Sequence, residues 1–172
     1  MPLPDSLEFV AQHLPASQQK GAWPHVSLGF DPGHTTGCAL IHNYRLVWAR
    51  QLDTRDIPGT WANVSAVFDE VLATYNREAI CLAVEDYKVY DWKTESHSWS
   101  KVHTIKVVGL IQCLAYHHNL MVRMRMASAA KGFMTDTKLR QWGLWVEGQR
   151  HARDAIRHAA YNTLFMDSHI SD

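Results

Sequence analysis

Hydrophobic and polar positions along the chain change period several times, and each change marks a new element. The body opens with Val26-Ser27-Leu28-Gly29-Phe30-Asp31, a strand-like run halted by the turn signal Pro32-Gly33. A second strand is predicted over Gly37–His42 and a third over Tyr44–Gln51, with Asn43 at the corner of a tight hairpin. Val64, Val67, Phe68, Val71, Leu72 and Tyr75 recur at helical spacing and predict a helix over Thr60–Asn76. The run Ala79–Val84 is apolar without interruption, as a strand buried on both faces must be, and it ends in Glu85-Asp86. A long helix over Ser98–His118, a strand over Leu120–Met126, helical pieces around Thr137–Leu144 and a last helix over about Gln149–Met166 complete the order. Residues 1–25 read as a polar, Pro-containing leader with one short helical stretch, Leu7–Leu14, and residues 26–172 as a single domain. Three strands followed by helix, strand, helix, strand, helix describe an α/β chain. Its five strands form a mixed sheet, the first three antiparallel and the later ones parallel, flanked by helices.

Composition narrows the class without naming an activity. The chain has 172 residues, 47% hydrophobic and 20% charged, as expected of one soluble globular domain. No apolar stretch approaches the ~18–20 residues that span a bilayer, so no membrane partner is expected. The N-terminus lacks a basic segment followed by an apolar run, which predicts an intracellular, cytoplasmic protein. Cys38, Cys81 and Cys113 lie far apart in apolar surroundings and read as buried thiols, neither a disulfide framework nor a zinc site. Net charge is zero, but its distribution is uneven: residues 1–100 carry 7 Lys/Arg against 12 Asp/Glu, and residues 101–161 carry 10 against 3. An acidic metal site beside a basic binding face would produce that asymmetry.

Charged residues at the ends of buried strands need a reason. Asp31 follows VSLGF and Glu85 follows ICLAV, so both are expected at the C-terminal ends of central strands, where α/β sheets place their sites. A third acid, Asp154, stands on the last helix in HARDAIRHAAY, three positions after His151 and on the same face. Ala155, Ala159 and Ala160 are small enough to let this helix approach a sheet closely. Converging carboxylates repel one another unless cations intervene, and hard Mg²⁺ or Mn²⁺ ions suit oxygen ligands. Two such ions can activate a water and stabilise the leaving oxygen in phosphodiester cleavage. His151 is a candidate ligand or proton carrier.

Three blocks carry a resemblance. LGFDPGHTTGCALI resembles the first hairpin of RuvC-type Holliday-junction resolvases, LAVEDY their Glu-bearing strand, and HARDAIRHAAY their C-terminal helix, in which an acid or a His precedes an Asp by three positions. The likeness runs from about Val26 to Tyr161. It implies an RNase H-like fold and a homodimer that nicks branched DNA symmetrically with Mg²⁺ or Mn²⁺. By position, Asp31, Glu85, His151 and Asp154 would be both catalytic residues and metal ligands, holding two ions per site. Lys131 and Lys138 fall where the family contacts DNA, and Lys106, before Gly109, matches another basic position. The segment after Glu85 is longer than the family's and rich in aromatics. Tyr87, Tyr90, Trp92 or Trp99 would then be the rings that stack on unpaired bases at the junction. Compact members of this kind are often carried by bacteriophages, which would place the protein in the host cytoplasm. The competing readings are a same-fold nuclease acting on forks, flaps or RNA–DNA hybrids, a non-catalytic DNA-binding adaptor, and an actin- or hexokinase-type phosphotransferase. The last needs two related domains and far more residues.

Overall fold

The computed structural model describes residues 6–14, 26–87 and 99–165. Its elements follow in the order α1 (Leu7–Gln12), β1 (Val26–Asp31), β2 (Thr35–His42), β3 (Arg45–Asp53), α2 (Ile57–Thr74), β4 (Ile80–Asp86), α3 (Trp99–His117), β5 (Met121–Met126), α4 (Ala127–Phe133), α5 (Asp136–Gln141) and α6 (Arg150–Leu164). One sheet runs β3-β2-β1-β4-β5. The β1–β2 and β2–β3 pairs are antiparallel, and the β1–β4 and β4–β5 pairs are parallel. This is the mixed five-stranded sheet that the order of strand and helix signals predicts.

Alternation along the central strands separates two layers. Val26, Leu28 and Phe30 of β1, Cys38 and Leu40 of β2, and Ile80, Leu82 and Val84 of β4 face one side and pack with α2 and α3. The opposite face carries small or polar residues: Ser27, Gly29 and Asp31 on β1, Gly37 and Ala39 on β2, and Cys81, Ala83 and Glu85 on β4. Against that thin face lies α6. A Cβ added at Gly29 would overlap the Ala155 carbonyl, and one at Gly37 would overlap the His151 carbonyl, so no other residue fits at either place. Ala155, Ala159 and Ala160 are fully buried and supply the matching small surface on the helix. The helix runs antiparallel to β1. His151 meets Asp31 at one end, and at the other Ser27 Oγ donates to the Ala159 carbonyl at 3.0 Å. Four strand residues span ~13 Å and eight helix residues ~12 Å, so the two stay in register over this length.

Local signals account for the boundaries that differ from expectation. The hairpin corner is a two-residue turn with Asn43 at φ 48° and Tyr44 at φ 63°, the left-handed pair that the strand twist favours. Helix α2 starts three residues before its apolar period, because Asp56 caps it by accepting from the Gly59 amide at 2.7 Å and Pro58 fits its first turn. Helix α4, in the polar stretch after β5, is missed by periodicity because it is short and buries only Ala130. Helix α1 packs through Leu7 into the layer that holds Ile156 and Trp142, so part of the predicted leader rests on the domain. Cys38 and Cys81 are buried as expected, and burial pushes both thiols up, Cys38 to about 12. Cys113 is exposed, which corrects the expectation, because α3 buries Val107, Val108, Ile111, Leu114 and Ala115 and turns position 113 outward. No helix among the described residues is long and apolar enough to cross a membrane.

The helix–sheet contact predicts opposite outcomes for two glycines. Gly37→Ala should destabilise by at least the ~1–3 kcal/mol of an overpacked core, because its neighbour is backbone. Gly109→Ala, on α3 with open space around it, should stabilise by ~0.5–1 kcal/mol. Urea denaturation of both variants checks the pair.

Candidate metal centre

The parallel register of β1 and β4 pairs Phe30 with Val84 and makes Asp31 and Glu85 neighbours at the ends of adjacent strands. Both carboxylates share the face covered by α6. Asp31 is 6% exposed and hydrogen-bonded to Glu85. His151 Nδ1 lies 2.7 Å from Asp31 Oδ2, and His158 Nε2 lies 2.8 Å from Glu85 Oε2. Lys131, on α4, places Nζ 3.3 Å from Glu85 Oε2 and 3.3 Å from Asp154 Oδ2. The other oxygen of Asp154 accepts from Arg157 Nη1 at 2.6 Å, while Arg157 also donates to the Met134 carbonyl and pairs with Asp136.

All four residues expected at the site are therefore gathered around one end of the sheet. The tightest group differs from expectation: ligand atoms of Asp31, Glu85 and His158 lie within 4.8 Å of one another. His158 and Arg157 were missed by sequence reasoning. A signal for His158 existed, since Asp154, His158 and Asn162 stand four residues apart and form one polar stripe on an otherwise alanine-rich face. That stripe continues away from the site, where Asn162 accepts from Arg125 at 2.9 Å and donates to Ser27 at 3.1 Å.

No protein-family model matches the sequence, and no curated protein does. Similar structures have been solved. One is T. thermophilus RuvC in complex with a Holliday junction substrate, at 17% identity and a TM-score of 0.60, covering 82% of this chain and 94% of that one. Another is Thermus thermophilus RuvC, at 18% identity and a TM-score of 0.56, covering 82% of this chain and 95% of the other. The fold is RuvC-like.

Within this RuvC-like fold the site is strongly polarised. Burial raises the Asp31 carboxyl to about 8, and the neighbouring charge of Glu85 adds to the shift. Burial would raise Glu85 as well, but hydrogen bonds with His158 and Asp31 and the nearby Lys131 ammonium hold it down at about 2. The two acids are thus pushed in opposite directions, Asp31 up and Glu85 down. Burial and then Arg150 lower His151, whose Nδ1 lies within hydrogen-bond distance of Asp31 Oδ2. Lys131 is raised: burial opposes its charge, but Glu85, Asp154 and Asp31 outweigh it. The donor set fits Mg²⁺ or Mn²⁺, being mainly carboxylate oxygens that already hold a cationic ammonium between them.

Beside Asp154 opens a cavity of about 470 Å³ whose lining includes Lys131, Arg150, Arg153 and Arg157. The expected DNA-contacting residues are spread around this end and beyond. Lys106 is exposed on α3, Lys131 sits inside the acid cluster, and Tyr87 is half-buried just after β4. Lys138 is engaged locally, donating to the Phe133 carbonyl at 2.8 Å with its ammonium 3.8 Å from the Phe133 ring. Tyr90, Trp92 and the Trp99 ring lie outside the described residues.

A raised carboxyl stabilises the fold fully below its unfolded value, near 3.8, and that contribution is lost as pH rises through about 8. Glu85, held low, acts in the opposite sense but only below its ordinary 4.5. In chelator, the Tm of Asp31→Asn should therefore gain on wild type steadily from pH 5 to pH 8, by about 2–4 °C for each ~1 kcal/mol. A Tm difference independent of pH would show that Asp31 is ionised throughout.

Proposed function

We propose that this chain is a divalent-metal-dependent endonuclease that nicks branched DNA, with the four-way junction as its preferred substrate. The convergence of Asp31, Glu85 and Asp154 at the end of a RuvC-like sheet, with Lys131 held between two of them, carries the reading. A buried cluster of acids is costly to a fold, and a nuclease site gives that cost a purpose. The junction preference draws support from the similar structure solved with such a substrate.

Asp31, Glu85 and Asp154 would hold the metal, two ions to a site. Bound there, Mg²⁺ or Mn²⁺ supplies Lewis-acid activation of water and charge stabilisation at the leaving oxygen. Asp31 would hold the metal as a carboxylate, so metal binding should weaken as pH falls. His151, half-exposed and hydrogen-bonded to Asp31, is the residue at the rim placed to carry a proton away or to join the ligands. Lys131 and the Arg150 and Arg153 side chains of the adjoining cavity meet the DNA phosphates. Lys106, Lys138 and Tyr87, and by the resemblance Tyr90, are the further candidates for DNA contact. Symmetric nicking of a two-fold substrate calls for a homodimer. The protein acts in the cytoplasm, that of the host if a bacteriophage encodes it.

Cleavage of synthetic four-way junction, fork, flap and RNA–DNA hybrid, mapped at nucleotide resolution, tests the reading. Paired nicks in the junction should need Mg²⁺ or Mn²⁺ and should fall at least ~100-fold in Asp31→Asn, Glu85→Gln and Asp154→Asn, on the order of losing one key electrostatic group. Equal cutting of all four substrates would remove the junction preference. Persistence in Asp154→Asn would remove that residue from the site. In anisotropy titrations of junction DNA at several salt concentrations, Lys131→Met should lower the salt slope by about one unit, the share of a single phosphate contact.

A further inference from the structure

We propose that His158 is a positioning residue for Glu85, its buried imidazole donating from Nε2 and fixing the carboxylate beside Asp31. This rests on the metal-site reading above and assigns a role to a residue outside the four expected from sequence. His158 is fully buried in the polar stripe of α6, between Asp154 and Asn162 and flanked by the buried Ala155, Ala159 and Ala160. A polar ring in that layer needs a hydrogen-bond partner, and among the described residues its partner is Glu85 Oε2 at 2.8 Å. Nδ1 has no partner. A proton on Nδ1 would strand a buried donor and turn the Nε2 lone pair against a carboxylate, so the proton belongs on Nε2.

The backbone beneath His158 has no freedom to adjust. Helix α6 is locked to the sheet at Gly29 and Gly37, one turn and two turns before the imidazole, so Nε2 is set by the helix–sheet contact itself. Glu85 also lies within reach of Lys131, which would draw the carboxylate toward Asp154 if the imidazole did not hold it. Hydrogen bonds of this kind orient metal-binding carboxylates, and losing one typically weakens metal affinity ~10–100-fold.

Calorimetric titration with Mn²⁺ provides the test, on wild type, His158→Met, His158→Gln and Glu85→Gln. The methionine variant keeps the volume and loses the donor; it should bind Mn²⁺ about 10–100-fold more weakly while its Tm in chelator stays near wild type. The glutamine variant, whose amide nitrogen can reach the place of Nε2, should recover most of the affinity. Wild-type affinity in His158→Met, with loss in Glu85→Gln, overturns the role of His158 and leaves the metal site standing. No Mn²⁺ binding by wild type overturns both. Should the methionine variant not fold, ¹H–¹⁵N spectra of histidine-labelled wild type decide, with the His158 signal assigned by its absence from His158→Gln. A proton on Nε2 with and without Mg²⁺ is the expected result. A proton on Nδ1, or loss of the Nε2 proton when Mg²⁺ binds, overturns the proposal.

Discussion

The carbonyls of α6 rest directly on Gly29 and Gly37, and the arrangement of the site follows from that contact. A helix usually stands off a sheet by the depth of its side chains. Here the sheet offers no side chain at two positions, and the helix brings its backbone at His151 and Ala155 against them. The helix therefore sits close enough for short side chains to meet across the layer. Asp31 reaches His151 and Glu85 reaches His158 without long, flexible arms. A bulkier interface would separate the strand acids from the helix acid and leave each as an isolated buried charge.

Electrostatics then impose a second constraint. Three carboxylates at one end of a sheet would oppose folding, and the metal-free protein offsets them in three ways. Burial raises the Asp31 carboxyl and so favours its neutral form, Lys131 stands between Glu85 and Asp154, and Arg157 pairs with the far oxygen of Asp154. Each device answers to charge rather than to shape. Lys131 is consequently both part of the folded ground state and, in the proposed reaction, a group available to the DNA once metal takes over its charge. The arginines lining the adjoining cavity extend the same positive surface outward from Asp154.

Much of this was legible in the chain before any coordinates. The five strands and the helices between them follow from periodicity and turn residues, because a strand end or helix stripe is a local matter. Asp31 and Glu85 were conspicuous as acids closing apolar runs, and Asp154 with His151 as a pair at helical spacing. Less visible were α4, too short and polar to show a period, and the outward turn of Cys113 on a helix with apolar residues on several faces. His158 was passed over because its sequence neighbours read as an ordinary alanine-rich helix, and nothing local says that its ring faces Glu85.

By itself, then, the sequence determined the order and type of the elements, the mixed sheet, and which acids are candidates for a metal site. Those properties depend on side-chain chemistry and short-range spacing, which a chain carries wherever it goes. Tertiary structure decided which groups touch: that His158 meets Glu85, that Lys131 bridges two acids, and that Asp31 is buried beside Glu85. These are contacts between residues up to 73 positions apart. They are set by the register of one helix against two glycines, a quantity that no local pattern encodes.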